Sequence, residues 1–125
     1  MKTIINSKNA PSPIGPYSQA VLSGNTLFAS GQIAINPKTG ELNMDSIEVE
    51  TEQVMQNIEA VLQEANMTFE NIVKCSIFLS NMDSFSRVNE VYGKYFPTNP
   101  PARETVEVSC LPKSVNVEIS FISVI

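Results

Sequence analysis

Near the C-terminus, Val115, Val117, Ile119 and Phe121 take one parity, and Asn116, Glu118 and Ser120 take the other. A repeat of two over this length is a strand with one apolar and one polar face. Such a strand has to be covered on its apolar side, and the same chain supplies the cover. Val54, Ile58, Val61, Leu62 and Ala65 recur at helical spacing within a helix predicted over about Ile47 to Ala65. A second helix is predicted near Ser84 to Tyr95, with Phe85, Val88, Tyr92 and Tyr95 spaced to pack. The order strands, helix, strand, helix, strands predicts an α+β architecture, a sheet with both helices on one face.

The remaining segments fit this plan. Thr3-Ile4-Ile5 reads as a short edge strand. Asn9 to Pro16 holds three prolines and a glycine and reads as a stiff loop. Tyr17–Leu22 and Thr26–Ser30 form a hairpin about Gly24-Asn25, ending at Gly31-Gln32, where a glycine permits close backbone approach. Asn36–Gly40 is a turn. Asp45 or Ser46 caps the first helix, Glu48, Glu50 and Glu52 suit its N-terminal end and are expected to face water, and Asn66 is a left-handed stop. Ile72–Leu79 reads as a strand with Val73, Cys75, Ile77 and Leu79 on one face and Ile72, Lys74, Ser76 and Phe78 on the other. Asn81 or Asp83 caps the second helix. A strand from Glu104 to Ser109, a turn at Leu111–Ser114 and a strand from Val115 to Val124 close the chain. Without repeats, low-complexity stretches or a linker, residues 1–125 are expected to form a single domain.

Charge and residue inventory narrow the chemistry. A net charge of −5 argues against a nucleic-acid footprint or a polybasic membrane surface. No apolar run approaches the roughly 20 residues of a membrane span. The first residues are too polar for a signal peptide, and the expected address is the cytoplasm. Cys75 and Cys110 are expected to be buried thiols in a reducing compartment, not a disulfide. There is no histidine, which removes Ser-His-Asp and Cys-His nucleophile systems and histidine-ligated metals together. An enzyme made from this chain would work with Arg, Glu, Tyr, Ser, Thr and backbone groups.

Arg103, one of only two arginines, follows Pro100-Pro101-Ala102 at the start of a strand. The prolines fix an extended approach, and a rigidly held guanidinium suits bidentate capture of a carboxylate or phosphate. A structural ion pair at a strand start is the other reading of the same residue. Arg103 shares the parity of Thr105 and Glu107, opposite to Val106 and Val108, which assigns it to the polar face. Glu118 also falls on a polar face. Both are therefore expected on the side that the helices leave uncovered. Ile122 and Val124 on that side call for a covering oligomer, most simply a closed ring with sites between subunits.

Five segments in order, Ile14-Gly15-Pro16-Tyr17-Ser18-Gln19-Ala20, Ser30-Gly31-Gln32-Ile33, Val88-Asn89-Glu90-Val91-Tyr92, Pro101-Ala102-Arg103 through Leu111-Pro112, and Val117-Glu118-Ile119, resemble the RidA/YjgF family of reactive-intermediate (enamine/imine) deaminases nearly end to end. The resemblance implies a chorismate-mutase-like mixed β-sheet with two helices on one face. It implies a homotrimer with inter-subunit clefts and no metal or cofactor. The implied reaction is hydrolysis of 2-imino acids such as 2-iminopropanoate and 2-iminobutanoate, released by pyridoxal-phosphate-dependent dehydratases, to the 2-keto acid and ammonia. Carried onto this chain, Arg103 grips the carboxylate, aided by the Thr105 N–H, and Glu118 serves as general base. The Gly31 carbonyl accepts from the imine nitrogen beside Ser30, Tyr17 closes the cleft, and Asn89 shapes its wall. Many relatives carry cysteine where this chain has Thr105, which leaves substrate range and thiol regulation open.

Each residue also has a structural reading. Tyr17 fits as a packed loop aromatic, Ser30-Gly31 as a turn, Asn89 as a helix-surface amide and Glu118 as a partner of Lys74. Glu107 rivals Glu118 as the base. Alternative functions are an endoribonuclease or translation inhibitor, and a non-catalytic metabolite-binding or chaperone-like module. The acidic charge weighs against the first. An arginine together with a base weighs against the second.

Overall fold

A computed structural model describes residues 1–125. Six strands form one sheet: β1 (Lys2–Ile5), β2 (Ala20–Ser23), β3 (Thr26–Gln32), β4 (Ile72–Leu79), β5 (Ala102–Glu107) and β6 (Val117–Val124). Their order across the sheet is β1-β2-β3-β6-β4-β5. All neighbours are antiparallel except β4 and β5, so the sheet is mixed. Helices α1 (Ile47–Glu64) and α2 (Phe85–Gly93) pack against each other on one face.

The core lies between that face and the helices. Val54, Ile58, Val61 and Leu62 of α1 are fully buried with Leu27, Ile77, Leu79, Val117 and Ile119 from the sheet, and Val88 and Tyr92 extend the layer from α2. Ser46 caps α1 by accepting from the Val49 N–H, and Asn66 ends it at φ 58°. β4 spans the expected residues, but its pairing with β6 shifts register between Ile72 and Lys74. Ile72 is therefore buried and Val73 is 48% exposed, the reverse of the simple alternation. Residues 17–19 belong to the loop before β2, and Asn81 caps a short 3-10 turn, Met82–Ser84, that leads into α2.

Three expectations are corrected by contacts between distant parts of the chain. Glu50 does not face water. It is fully buried, and its carboxylate accepts from the Asn116 and Val117 N–H groups and from the Asn116 side-chain amide at 2.8–3.2 Å. Cys75 is buried as expected, whereas Cys110 is exposed in the loop after β5; both are free thiols. Arg103 and Glu118 do not share a face. Arg103 stands opposite Cys75 in the register, on the helix side, whereas Glu118 stands opposite Phe78, on the uncovered side. Parity pairs Arg103 with Thr105 correctly but cannot say which parity meets the helices. On this edge strand the valine at 106 points to the uncovered face and is 41% exposed.

The uncovered face also carries Phe28, 49% exposed, beside Ile122. No helix of the chain is long and apolar enough to cross a membrane.

Candidate functional site

The residues singled out in the sequence fall into two groups on one chain. Tyr17, Ser30, Gly31 and Glu118 line a cavity of about 590 Å³ together with Gln32 and Ile33. Arg103 and Asn89 line a second hollow of about 460 Å³ with Tyr92, Pro100 and Pro101. Arg103 and Glu118 are separated by two strand positions, by three rows of register and by the sheet itself. A single chain does not bring them to one point.

The Glu118 group is built where β3 leaves the sheet. Pairing of β3 with β6 is regular through Ala29↔Phe121, then slips before Gln32↔Ile119. The bulge swings Gly31 beside the Glu118 side chain. A Cβ at Gly31 would overlap the Glu118 carboxylate, so any larger residue here would push that side chain out of its present position. Glu118 is half-buried, and burial raises its carboxyl pKa above the ordinary value. No lysine or arginine pairs with it; Lys74 pairs instead with Glu104 at 2.9 Å. Ser30 donates its hydroxyl to the Ser18 carbonyl at 2.7 Å and its N–H to the Gln19 carbonyl at 2.9 Å, so its side chain is tied to the loop behind the cavity. Tyr17 is 52% exposed, its ring at the rim and its hydroxyl accepting from the Ile14 N–H at 3.4 Å.

The Arg103 group is built on the edge strand. The guanidinium carbon lies 5.2 Å from the Tyr92 ring centroid and 5.6 Å from that of Phe85. Nη1 donates to the Asn89 side-chain oxygen at 2.6 Å. Arg103 has no carboxylate partner, unlike Arg87, which holds Glu48 at 2.6 Å and lowers its pKa to about 2. The ion-pair reading therefore fails for Arg103. Two aromatic faces and one amide set the plane of the fork while leaving donors free beside the hollow. Thr105 lies on the same side as Arg103, opposite Ile77, and its hydroxyl is buried without a partner. Glu107, the rival base, accepts from the Met82 N–H at 2.8 Å and stabilises the turn before α2, away from the Glu118 cavity.

Three buried polar residues near the cavity carry roles that the sequence reading did not give them. Asn57 of α1, 1% exposed, donates to the carbonyls of Ile33 and Ile35 at 3.0 and 2.9 Å. Glu50 holds the backbone at the start of β6, just ahead of Glu118. Gln19, 2% exposed, ties down the loop before Tyr17. The available signal was a polar residue in an otherwise apolar stripe, which Asn57 and Glu50 both are on α1.

Comparison with known proteins shows the family. A family model described as endoribonuclease L-PSP matches residues 7–125. A Yersinia pestis protein of the conserved Rid family is 52% identical, with a TM-score of 0.97 over the whole of both chains. A chloroplastic Arabidopsis thaliana protein named reactive intermediate deaminase A is 38% identical over 98% of this chain and 65% of its own length. TdcF of E. coli, solved with bound serine, is 35% identical, with a TM-score of 0.94 over 98% of each chain. The chain belongs to the RidA/YjgF family.

Proposed function

We propose that the protein hydrolyses small 2-imino acids to 2-keto acids and ammonia. The observation that carries this reading is a complementary pair: a guanidinium with no carboxylate partner beside one hollow, and a carboxyl of raised pKa beside another. Because they lie apart on one chain, the complete site is proposed to form between protomers of a homotrimer. There the Arg103 edge of one chain meets the Glu118 cavity of the next. The exposed Phe28 and Val106 on the uncovered sheet face support such burial. The names borne by the Arabidopsis relative and the serine-bound TdcF support the chemistry and the size of ligand.

The steps follow from the groups. Arg103 forks onto the substrate carboxylate, with the Thr105 N–H as a further donor, and Asn89 holds the fork in plane. The Gly31 carbonyl accepts from the imine N–H, and Ser30 and Tyr17 border the substrate. Glu118 takes a proton from water as the oxygen bonds to the C=N carbon, and passes it to the nitrogen, which becomes an amine. The resulting tetrahedral carbinolamine collapses: Glu118 takes the hydroxyl proton and delivers it to the nitrogen as the C=O bond forms, the C–N bond breaks and ammonia leaves. Burial raises the proton affinity of this carboxyl, which favours its taking a proton from water.

The test couples a threonine dehydratase to the protein and follows keto acid in the presence of semicarbazide, which traps free imine. Faster keto-acid release with less semicarbazone supports the reading; no change in either, with well-folded protein, ends it.

A further inference from the structure

The side chain of Gln19 is the most connected buried amide near the cavity, and the chemistry proposed above makes no use of it. Its Oε1 accepts from the Ser7 N–H at 2.6 Å. Its Nε2 faces the carbonyls of Ser7, Ala10 and Pro11 at 3.1, 3.4 and 2.9 Å. Both ends of the amide are thus spent on a loop 8–12 residues away, and nothing else polar in the structure takes these groups. The backbone of Gln19 is fixed independently, since its carbonyl accepts from the Ser30 N–H. One residue therefore joins the Ser30 wall to the segment from Ser7 to Pro11. That segment continues through Ser12 and Ile14 to Tyr17, which line the same cavity as Ser30.

A loop with three prolines is stiff but has few hydrogen bonds of its own. Here the Tyr17 N–H to Gly15 carbonyl bond is local, and it does not anchor the loop to the sheet. The amide of Gln19 supplies that anchor. A buried amide with both ends satisfied has one geometry, and losing it leaves several backbone groups unpaired.

We infer that Gln19 is a positioning residue that sets the width of the cavity between the Pro11–Tyr17 loop and the Ser30–Ile33 segment, and so limits the imino-acid side chain to small groups. The inference rests on the imine-hydrolysis reading. Excess space in an apolar pocket weakens discrimination between side chains differing by a few methylenes. A residue that served folding alone would, when changed, lower turnover of all imino acids in the same proportion.

The experiment uses Gln19→Met, which keeps the volume and removes all four contacts, and Gln19→Glu, which keeps only acceptance from the Ser7 N–H at neutral pH. Imino acids are generated in place by an amino-acid oxidase from alanine and from leucine. The readout is the ratio of kcat/KM for the small over the large imine, read beside thermal melting and trypsin cleavage after Lys8, a loop residue. The expected result is a drop in that ratio of about ten-fold, with faster cleavage after Lys8 and unchanged cleavage after Lys38. A ratio equal to that of the wild type in a folded variant overturns the inference, whatever happens to cleavage. If Gln19→Met does not fold, the ratio for Gln19→Glu decides in the same way. Failure of the wild-type protein to hydrolyse either imine is the separate outcome that removes the functional reading, and this inference with it.

Discussion

Arg103 stands on an edge strand, its guanidinium stacked beside Phe85 and Tyr92 and its residue exposed; Glu118 stands on an interior strand, its carboxyl half-buried against a glycine. The work proposed for these two groups explains the difference. An arginine keeps its charge at any working pH, so it needs only orientation, which aromatic faces and one amide supply. A carboxylate base near neutral pH needs its proton affinity raised, and desolvation is the means available. The cation can therefore sit on an edge, whereas the base needs walls. Those walls are held by buried polar groups, Gln19, Asn57 and Glu50, each bonded to backbone near the cavity. One half of the proposed site is organised by packing and the other by hydrogen bonds.

The largest expected effect breaks the Glu118 half. Glu118→Gln removes the base but keeps its shape, and kcat should fall on the order of 1,000-fold, within the range for a positioned general base. KM should stay near that of the wild type. Turnover within a few-fold of the wild type would move the base elsewhere. On the other side, Arg103→Ala removes the carboxylate grip. Two charge-assisted hydrogen bonds lost together correspond to about 3 kcal/mol, roughly 100-fold in kcat/KM. Melting should change little, because Arg103 is exposed and has no ion pair to break. A fully active Arg103→Ala protein would remove the anchor.

These two variants also test whether the halves meet across protomers. Each alone lacks one group, but a trimer assembled from both contains junctions where an intact Arg103 faces an intact Glu118. Random mixing of equal amounts through unfolding and refolding should restore about a quarter of wild-type sites, if each site takes one group from each of two neighbours in a closed ring. No recovery, in mixed oligomers shown by mass measurement to have exchanged, would place the two groups on one chain or leave them unrelated.

How much of this was legible in the residues follows from the range of each interaction. Helix α1 and its stop Asn66 depend on neighbours three or four residues apart, and spacing showed them, while the cap was narrowed to Asp45 or Ser46 and the structure selects Ser46. The span of β4 was read correctly, yet its first residues were assigned to the wrong faces because a register shift is set by the partner strand. The parity of Arg103 with Thr105 was visible, but the face was not. A sheet covered by helices on one side, with apolar residues such as Phe28 and Val106 on the other, reads as apolar at both parities along its strands. Glu50 was read as a solvated helix-start glutamate because its donors lie 66 and 67 residues away. Tyr17, Ser30, Gly31 and Glu118 were gathered by resemblance alone, since no local rule brings a β3 bulge against β6.

The smallest expected effect is in pH dependence, and it separates the halves by their response to protons. Burial raises the Glu118 pKa above the ordinary carboxylate value, so protonation removes the base at a higher pH than for a solvated glutamate. The acid limb of kcat should lie above the ordinary glutamate range, and residual activity in Glu118→Gln should lack that limb. The same shift acts on stability with a definite sign. A carboxyl whose folded pKa is raised binds its proton more tightly in the folded chain. Its contribution is complete below the unfolded value and is lost as pH rises through the folded one. Relative to the wild type, Glu118→Gln should therefore gain stability as pH goes from acid to neutral. Arg103→Ala keeps the Glu118 carboxyl and should follow the wild-type trend. Denaturant midpoints of both variants at pH 4 and pH 7 measure the difference. A Glu118→Gln curve parallel to the wild type would mean that the carboxyl is not desolvated in the assembled protein, and the contrast drawn between edge cation and walled base would fail with it.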